Sequence, residues 1–197
     1  MLITVEGIDG AGKTTLVAGL ADALGDGVHV LREPGGVELS ERLRALVKDP
    51  ALEVGARAEA LVYAAARAQL VEERLRPLLE RGATVLLDRF VDSSLAYQGA
   101  GRGLGIDAVR ELNAFATGGL TPDRTLLLRV DPAAALARTG TRGEAIDRIE
   151  AEARAFWDAC ARAYDELAAA EPDRWVVLDA TQPPDRVLAD ARRALQL

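Results

Sequence analysis

The sequence predicts a three-layer α/β fold, a five-stranded parallel sheet flanked by helices, and three observations carry that expectation. Five short runs, 2–5, 28–31, 84–88, 125–130 and 175–179, are apolar almost throughout, as strands buried on both faces of a parallel sheet must be. Between them apolar residues recur at helical spacing, so strands alternate with helices. The first run leads directly into Gly7-Ile8-Asp9-Gly10-Ala11-Gly12-Lys13-Thr14 and then into an amphipathic stretch, giving a strand, a glycine-rich loop and a helix in that order.

That junction is a phosphate-binding loop. Glycines let successive backbone N–H groups turn toward phosphate oxygens, and the start of the next helix favours an anion. Lys13 supplies a mobile ammonium for the β- and γ-phosphates of ATP, and the Thr14 hydroxyl suits Mg²⁺. The ATP-contacting residues expected here are Gly7, Ile8, Asp9, Gly10, Ala11, Gly12, Lys13, Thr14 and Thr15. Lysine occurs only at positions 13 and 48 in a chain with 24 basic residues, so Lys13 departs from the prevailing choice of arginine. Leu16, Val17, Leu20, Ala21 and Leu24 then mark the first helix.

The second run holds His29, read as a structural imidazole because no Cys or carboxylate spacing for a metal surrounds it. Arg32-Glu33-Pro34-Gly35-Gly36 follows, with Arg44 on the next helical pattern. A longer helical segment carries Leu61, Val62, Ala65, Leu75 and Leu78. Tyr63 and Arg67 are four apart on it and share a face, a ring and a planar fork suited to stacking on a base and reading its edge.

The third run ends in Asp88-Arg89. A carboxylate at a strand end beside the phosphate loop suits Mg²⁺ or its water shell, and the guanidinium suits a second phosphate. Ser93, Ser94, Tyr97, Gln98 and Gly99 come next. After the fourth run, Arg138, Arg142 and Arg148 cluster around Gly140 and Gly143. Segments 35–36, 99–105 and 139–143 read as functional loops. Phe156, Cys160 and Tyr164 share a helical face that reads as core, Trp157 and Trp175 as packing or interface residues, and the fifth run closes the sheet.

At 197 residues, 49% hydrophobic and 28% charged, the chain reads as a single domain, 1–197. Its formal net charge of -7 argues against extended nucleic-acid binding, which leaves a basic footprint. A lone cysteine, no basic and apolar leader and no long apolar run point to a cytoplasmic protein with no membrane span. Two other readings remain open on these residues. A kinase for a different nucleotide or a nucleoside would separate on an acceptor panel. A nucleotide-controlled switch would need a guanine-reading Asn-Lys-x-Asp, which this chain lacks.

Five segments together resemble the thymidylate kinases: VEGIDGAGKTT, LREPGG, YAAARAQ, DRFVDSSLAYQGAGRG and RGEAIDRIE, with DATQP after the last strand. The phosphate loop alone is generic, whereas REPGG and DR-x-x-x-S-S-x-A-Y-Q-G are narrow. The resemblance implies transfer of the γ-phosphoryl of Mg·ATP to dTMP, and a homodimer. It implies Asp9 near the sugar 3′-hydroxyl, Arg44 and Arg89 near the acceptor phosphate, Tyr63 over thymine and Arg67 at its edge. Ser93, Ser94 and Gln98 correspond to further base contacts, Tyr97 to the wall beside the deoxyribose C2′, and Glu33 to a position near the acceptor. Phenylalanine is common where Tyr63 stands. Some members carry an arginine at position 10, whereas Gly10 here implies that a small basic lid, about 138–150, supplies the charge through Arg142 and Arg148. Arg138 corresponds to an arginine stacked on adenine, with 179–183 bordering that base. Catalysis is thus expected of Lys13, Asp9, Arg89, Arg142 and Arg148, and metal binding of Thr14 and Asp88.

Overall fold

A computed structural model describes residues 1–139 and 148–197. Its elements run β1 (Leu2–Glu6), α1 (Lys13–Leu24), β2 (Val28–Arg32), α2 (Glu38–Lys48), α3 (Ala56–Leu70), α4 (Arg76–Glu80), β3 (Thr84–Asp88), α5 (Val91–Ser94), α6 (Ile106–Thr117), β4 (Arg124–Arg129), α7 (Pro132–Thr139), α8 (Arg154–Ala170), β5 (Trp175–Asp179) and α9 (Pro184–Leu195). All five strands fall where the apolar runs predict them, within a residue at each end.

The strands form one parallel sheet in the order β2-β3-β1-β4-β5. Ile3 faces Leu86 on one side and Arg124 on the other, so β1 is central. The chain leaves β1 toward one edge and returns later to the opposite side, which makes the carboxyl end of β1 a switch point where ligands bind. Period-2 alternation feeds two cores. Val85 and Leu87 of β3 join Leu2, Leu70, Leu75 and Phe90 on one face. Leu86 joins Ile3, Val5, Leu16, Leu20, Trp157 and Tyr164 on the other.

Three expectations need correction. The edge strands are not buried on both faces: Val30 of β2 is 46% exposed and Val177 of β5 is 40% exposed, because each has a neighbour on one side only. His29 is accordingly exposed rather than packed within the strand. The apolar stripe expected on α3 is also misplaced. Leu61 and Ala65 are exposed, and the buried side carries Glu59, Ala60, Ala64, Ala66, Arg67 and Leu70. Lastly, glycines 99 and 101 do not open a loop; Leu95–Gly101 continues α5 as a wide π-helical turn.

Candidate active site

The loop after β1 enters α1 through Gly12 at φ 100°, a left-handed conformation in which glycine carries no Cβ penalty. No side chain caps the first turn of α1, so its orphan N–H groups are left for an anion. Gly10 packs on α7. A Cβ there would stand 2.1 Å from the Ala135 carbonyl oxygen, at φ 82°, so no side chain fits at that position.

Lys13 lies beneath this loop. Its Nζ donates to the carbonyls of Gly7 at 3.1 Å and Ile8 at 2.9 Å and sits 3.8 Å from Asp9 Oδ1. Burial, and then the nearby Arg89 guanidinium, lower the ammonium to about 8 against the pull of Asp9, Asp88 and Glu6. For Asp9 burial works the other way, yet Arg89, Lys13 and Lys48 outweigh it and hold the carboxyl at about 2.

Arg89, at the end of β3, has φ 69°, an uncommon backbone state for a side-chain-bearing residue and one found at functional sites. Its Nη2 reaches Asp9 Oδ1 at 2.5 Å and the Tyr97 hydroxyl at 2.9 Å, and its Nη1 reaches the Gly7 carbonyl at 2.9 Å and Ser93 Oγ at 3.0 Å. Beneath it, Glu6 accepts from Phe90 N at 2.7 Å, Ser93 Oγ at 2.6 Å and Tyr164 Oη at 2.9 Å. Burial and the neighbouring Asp92 push the Glu6 carboxyl up to about 7.

One cavity of about 300 Å³ joins this loop to a polar pocket. Asp9, Gly10, Gly12, Lys13 and Thr14 line its phosphate end, with Asp88 and Arg89 beside them. The other predicted acceptor residues line it too: Glu33, Arg44, Tyr63, Arg67, Ser93, Ser94, Tyr97 and Gln98. Arg44 donates to the Pro34 carbonyl at 2.8 Å. Tyr97 packs edge-on against Phe156, Trp157 and Tyr164 of α8.

Arg67 is buried, and each of its nitrogens is engaged. Nε donates to Glu33 Oε2 at 2.7 Å, Nη1 to Ser94 Oγ at 2.9 Å and to Asn113, and Nη2 to the Phe90 carbonyl at 2.9 Å. Burial raises the Glu33 carboxyl, with Arg67 opposing.

Other predicted residues fall elsewhere. Gly7 and Ile8 line a smaller cavity behind the loop, Ala11 is buried, and Thr15 is exposed on α1. Arg138 donates to the Ala180 carbonyl at 3.0 Å, which brings it to the 179–183 segment. Arg142 lies outside the described residues. Arg148 does not line the cavity; it donates to Glu59 Oε2 at 2.6 Å and to the Val47 carbonyl at 3.0 Å.

Sequence reasoning missed Glu6, Glu59, Asn113 and Tyr164. Glu6 had a legible signal, an acid closing an otherwise apolar strand. Glu59 had another, lying four and eight residues before Tyr63 and Arg67 on one helical face.

For a divalent cation the donor set fits Mg²⁺. Asp88 Oδ1 is buried with no hydrogen-bond partner among the described residues, and Asp88 shares the cavity with Thr14. Among those residues no group of three or more His, Cys, Asp and Glu gathers as a metal cage, and Mg²⁺ is commonly held by one or two carboxylates plus substrate phosphates.

An anion cradle at the switch point of a parallel sheet, continuous with a polar pocket, defines a P-loop nucleotide kinase. The family model described as thymidylate kinase matches residues 5–191. A thymidylate kinase of Deinococcus radiodurans is 52% identical over 193 residues, spanning 96% of this chain and 93% of that protein. One from Lactobacillus delbrueckii subsp. bulgaricus is 50% identical, spanning 95% and 91%. The crystal structure of thymidylate kinase from Ehrlichia chaffeensis superposes with a TM-score of 0.83 at 29% identity, covering 100% of this chain and 98% of that one. The chain belongs to the thymidylate kinase family.

Proposed function

We infer that this chain transfers the γ-phosphoryl of ATP to the 5′-phosphate of dTMP, giving dTDP and ADP. The observation that carries the reading is the single cavity running from the phosphate loop to Tyr63, Arg67 and Gln98. Donor and acceptor phosphates can therefore be brought together in one cavity.

The acceptor phosphate is already ionised, so the chain positions and neutralises rather than deprotonates. Residues 7–15 cradle the donor phosphates, Lys13 swings from the Gly7 and Ile8 carbonyls to the β- and γ-oxygens, and Arg138 with 179–183 borders adenine. Arg89 and Arg44 hold the acceptor phosphate, Asp9 takes the 3′-hydroxyl and Glu33 flanks it. Tyr63 stacks on thymine, Arg67, Ser93, Ser94 and Gln98 face its edge, and Tyr97 walls off C2′. Thr14 and Asp88 would hold Mg²⁺, which neutralises charge between the β- and γ-phosphates when bound. Arg142 and Arg148, in a lid of about 138–150, supply positive charge during transfer.

The whole chain acts as one kinase unit, without nucleic acid. Among the described residues no helix is long and apolar enough to cross a membrane, and Cys160 is buried and unbridged, which supports a cytoplasmic site of action. A homodimer is supported by exposed apolar residues on the adjoining helices α2, α3 and α6: Leu39 and Leu46, Leu61 at 58%, and Phe115 at 90% exposure. ADP release measured with Mg·ATP and dTMP, dUMP, dCMP, dGMP, AMP or thymidine tests the reading. Turnover greatest with dTMP is expected, and equal or greater turnover with dCMP or AMP would refute it.

A further inference from the structure

We propose that Glu59, which lies behind the cavity rather than in it, is a positioning residue that decides which pyrimidine the acceptor pocket takes. It does so by holding the Gln98 amide with its nitrogen turned away from the base and its oxygen turned toward it. The inference rests on the thymidylate reading above.

Glu59 is fully buried on α3, yet it does not line the cavity that Gln98 lines. Its Oε1 accepts from Gln98 Nε2 at 2.9 Å. The same carboxylate accepts from Arg102 Nε at 3.1 and 3.2 Å, and from Arg148 Nη2 at 2.6 Å. Burial alone would raise this carboxyl, but the hydrogen bonds from Arg102, Gln98 and Arg148 outweigh it and keep it below its ordinary value. An ionised carboxylate only accepts, so Gln98 can present only its nitrogen to Glu59. The amide of a glutamine is otherwise free to turn over, and here its neighbour settles the orientation.

With Nε2 held, the carbonyl oxygen is the arm left for the pocket. It accepts from thymine or uracil, whose ring N3 carries a hydrogen, and opposes the N3 lone pair of cytosine. Arg67 cannot easily make this distinction alone, because Glu33, Ser94, Asn113 and the Phe90 carbonyl already engage its nitrogens. Discrimination that would be attributed to Arg67 from its position on the helix therefore falls largely on Gln98 and, through it, on Glu59.

The test measures kcat/KM for dTMP and dCMP in the wild-type enzyme, in Glu59→Gln and in the swap Glu59→Gln/Gln98→Glu, with thermal melting of each. A glutamine at position 59 can offer either end of its amide, so Gln98 becomes free to turn its nitrogen to the base. The dTMP/dCMP ratio should fall by about tenfold or more in Glu59→Gln, through the acceptor KM, while the KM for ATP holds. The swap restores a fixed oxygen facing the pocket and should recover most of the ratio. A folded Glu59→Gln that loses activity equally on both nucleotides overturns the proposal, as does a swap with no recovery. Should neither variant fold, NMR of the wild-type enzyme bound to dTMP decides: a hydrogen-bond coupling between the thymine N3–H and the Gln98 side-chain carbonyl supports the proposal, and nuclear Overhauser contacts from the Gln98 amide protons to the base edge refute it. If wild type does not phosphorylate dTMP at all, the thymidylate reading fails and takes this inference with it. If it does, and the ratio survives in Glu59→Gln, the role of Glu59 alone is wrong.

Discussion

Arg89 Nη2 stands 2.5 Å from Asp9 Oδ1, so the end of β3 and the loop after β1 are tied by one ion pair. The same guanidinium serves Gly7, Ser93 and Tyr97, and its ring-facing side lies 4.9 Å from the Tyr97 centroid. An ammonium offers three donors without a planar fork and cannot serve all four partners in this arrangement. Arg89→Lys should therefore lower kcat/KM for dTMP by about 10²-fold or more while leaving the KM for ATP within about threefold. Steady-state kinetics with each substrate varied in turn checks both halves.

Lys13→Met should lose about 10³-fold or more in kcat without losing stability at pH 7. The folded-state value of about 8 lies below the ordinary 10.5, so the buried ammonium costs stability at neutral pH, on the order of 3 kcal/mol. That cost fades only as pH rises through about 8 toward 10.5. A melting temperature for Lys13→Met at or above that of wild type is expected at pH 7; a large decrease would contradict the burial argument.

Arg142→Ala should depress kcat by about 10²-fold with little change in either KM, since a residue acting on charge that develops during transfer contributes little to ground-state binding. Arg148 starts from a different place, docked on Glu59 and the Val47 carbonyl. Its alanine variant should lower kcat and also the melting temperature. If both variants and their double mutant retain kcat within about threefold, the basic lid is not part of catalysis.

Glu6 ties stability to pH. Burial and Asp92 raise its carboxyl from 4.5 to about 7, against Ser93, Arg89 and the Phe90 N–H. Between those values the native state holds a proton that the unfolded chain releases. This group's stabilising share is therefore full below 4.5 and is lost as pH rises through 7. Urea unfolding at pH 5 and pH 8 should show a smaller drop in stability for Glu6→Gln than for wild type; an identical drop would assign the titration elsewhere.

Gly10→Arg should destabilise by about 2–4 kcal/mol, combining left-handed strain with a clash. The Cβ would meet the Ala135 carbonyl at 2.1 Å, and backbone cannot swing aside as a side-chain tip can. Differential scanning calorimetry reads the loss directly, and a melting temperature within about 2 °C of wild type would mean that α7 yields easily.

The strands, the phosphate loop and the residues that line the cavity beside it were legible because each announces itself locally, through an apolar run, a glycine pattern or a motif. What was not legible depends on the order of the sheet. The apolar runs of β2 and β5 look like those of β1, and only their edge positions expose Val30 and Val177. On α3 Leu61 faces outward, while Glu59 and Arg67 turn in because their partners come from distant segments. Tyr164 likewise reaches Glu6 across 158 residues, a pairing no spacing rule encodes. Arg148 was legible as a basic residue beside a glycine break, but not its resting place on Glu59.

The aromatic wall behind the acceptor pocket also gives the protein an optical reporter. Trp157 stands edge-on to Tyr97, with ring centroids 5.7 Å apart, and its indole N–H donates to the Glu152 carbonyl at 3.2 Å. The chain holds only one other tryptophan, Trp175, in β5. Replacing Trp175 with phenylalanine would leave a single emitter one ring away from the arriving nucleotide. Its fluorescence in stopped flow should time acceptor entry separately from ATP binding, and so divide the catalytic cycle without any attached dye.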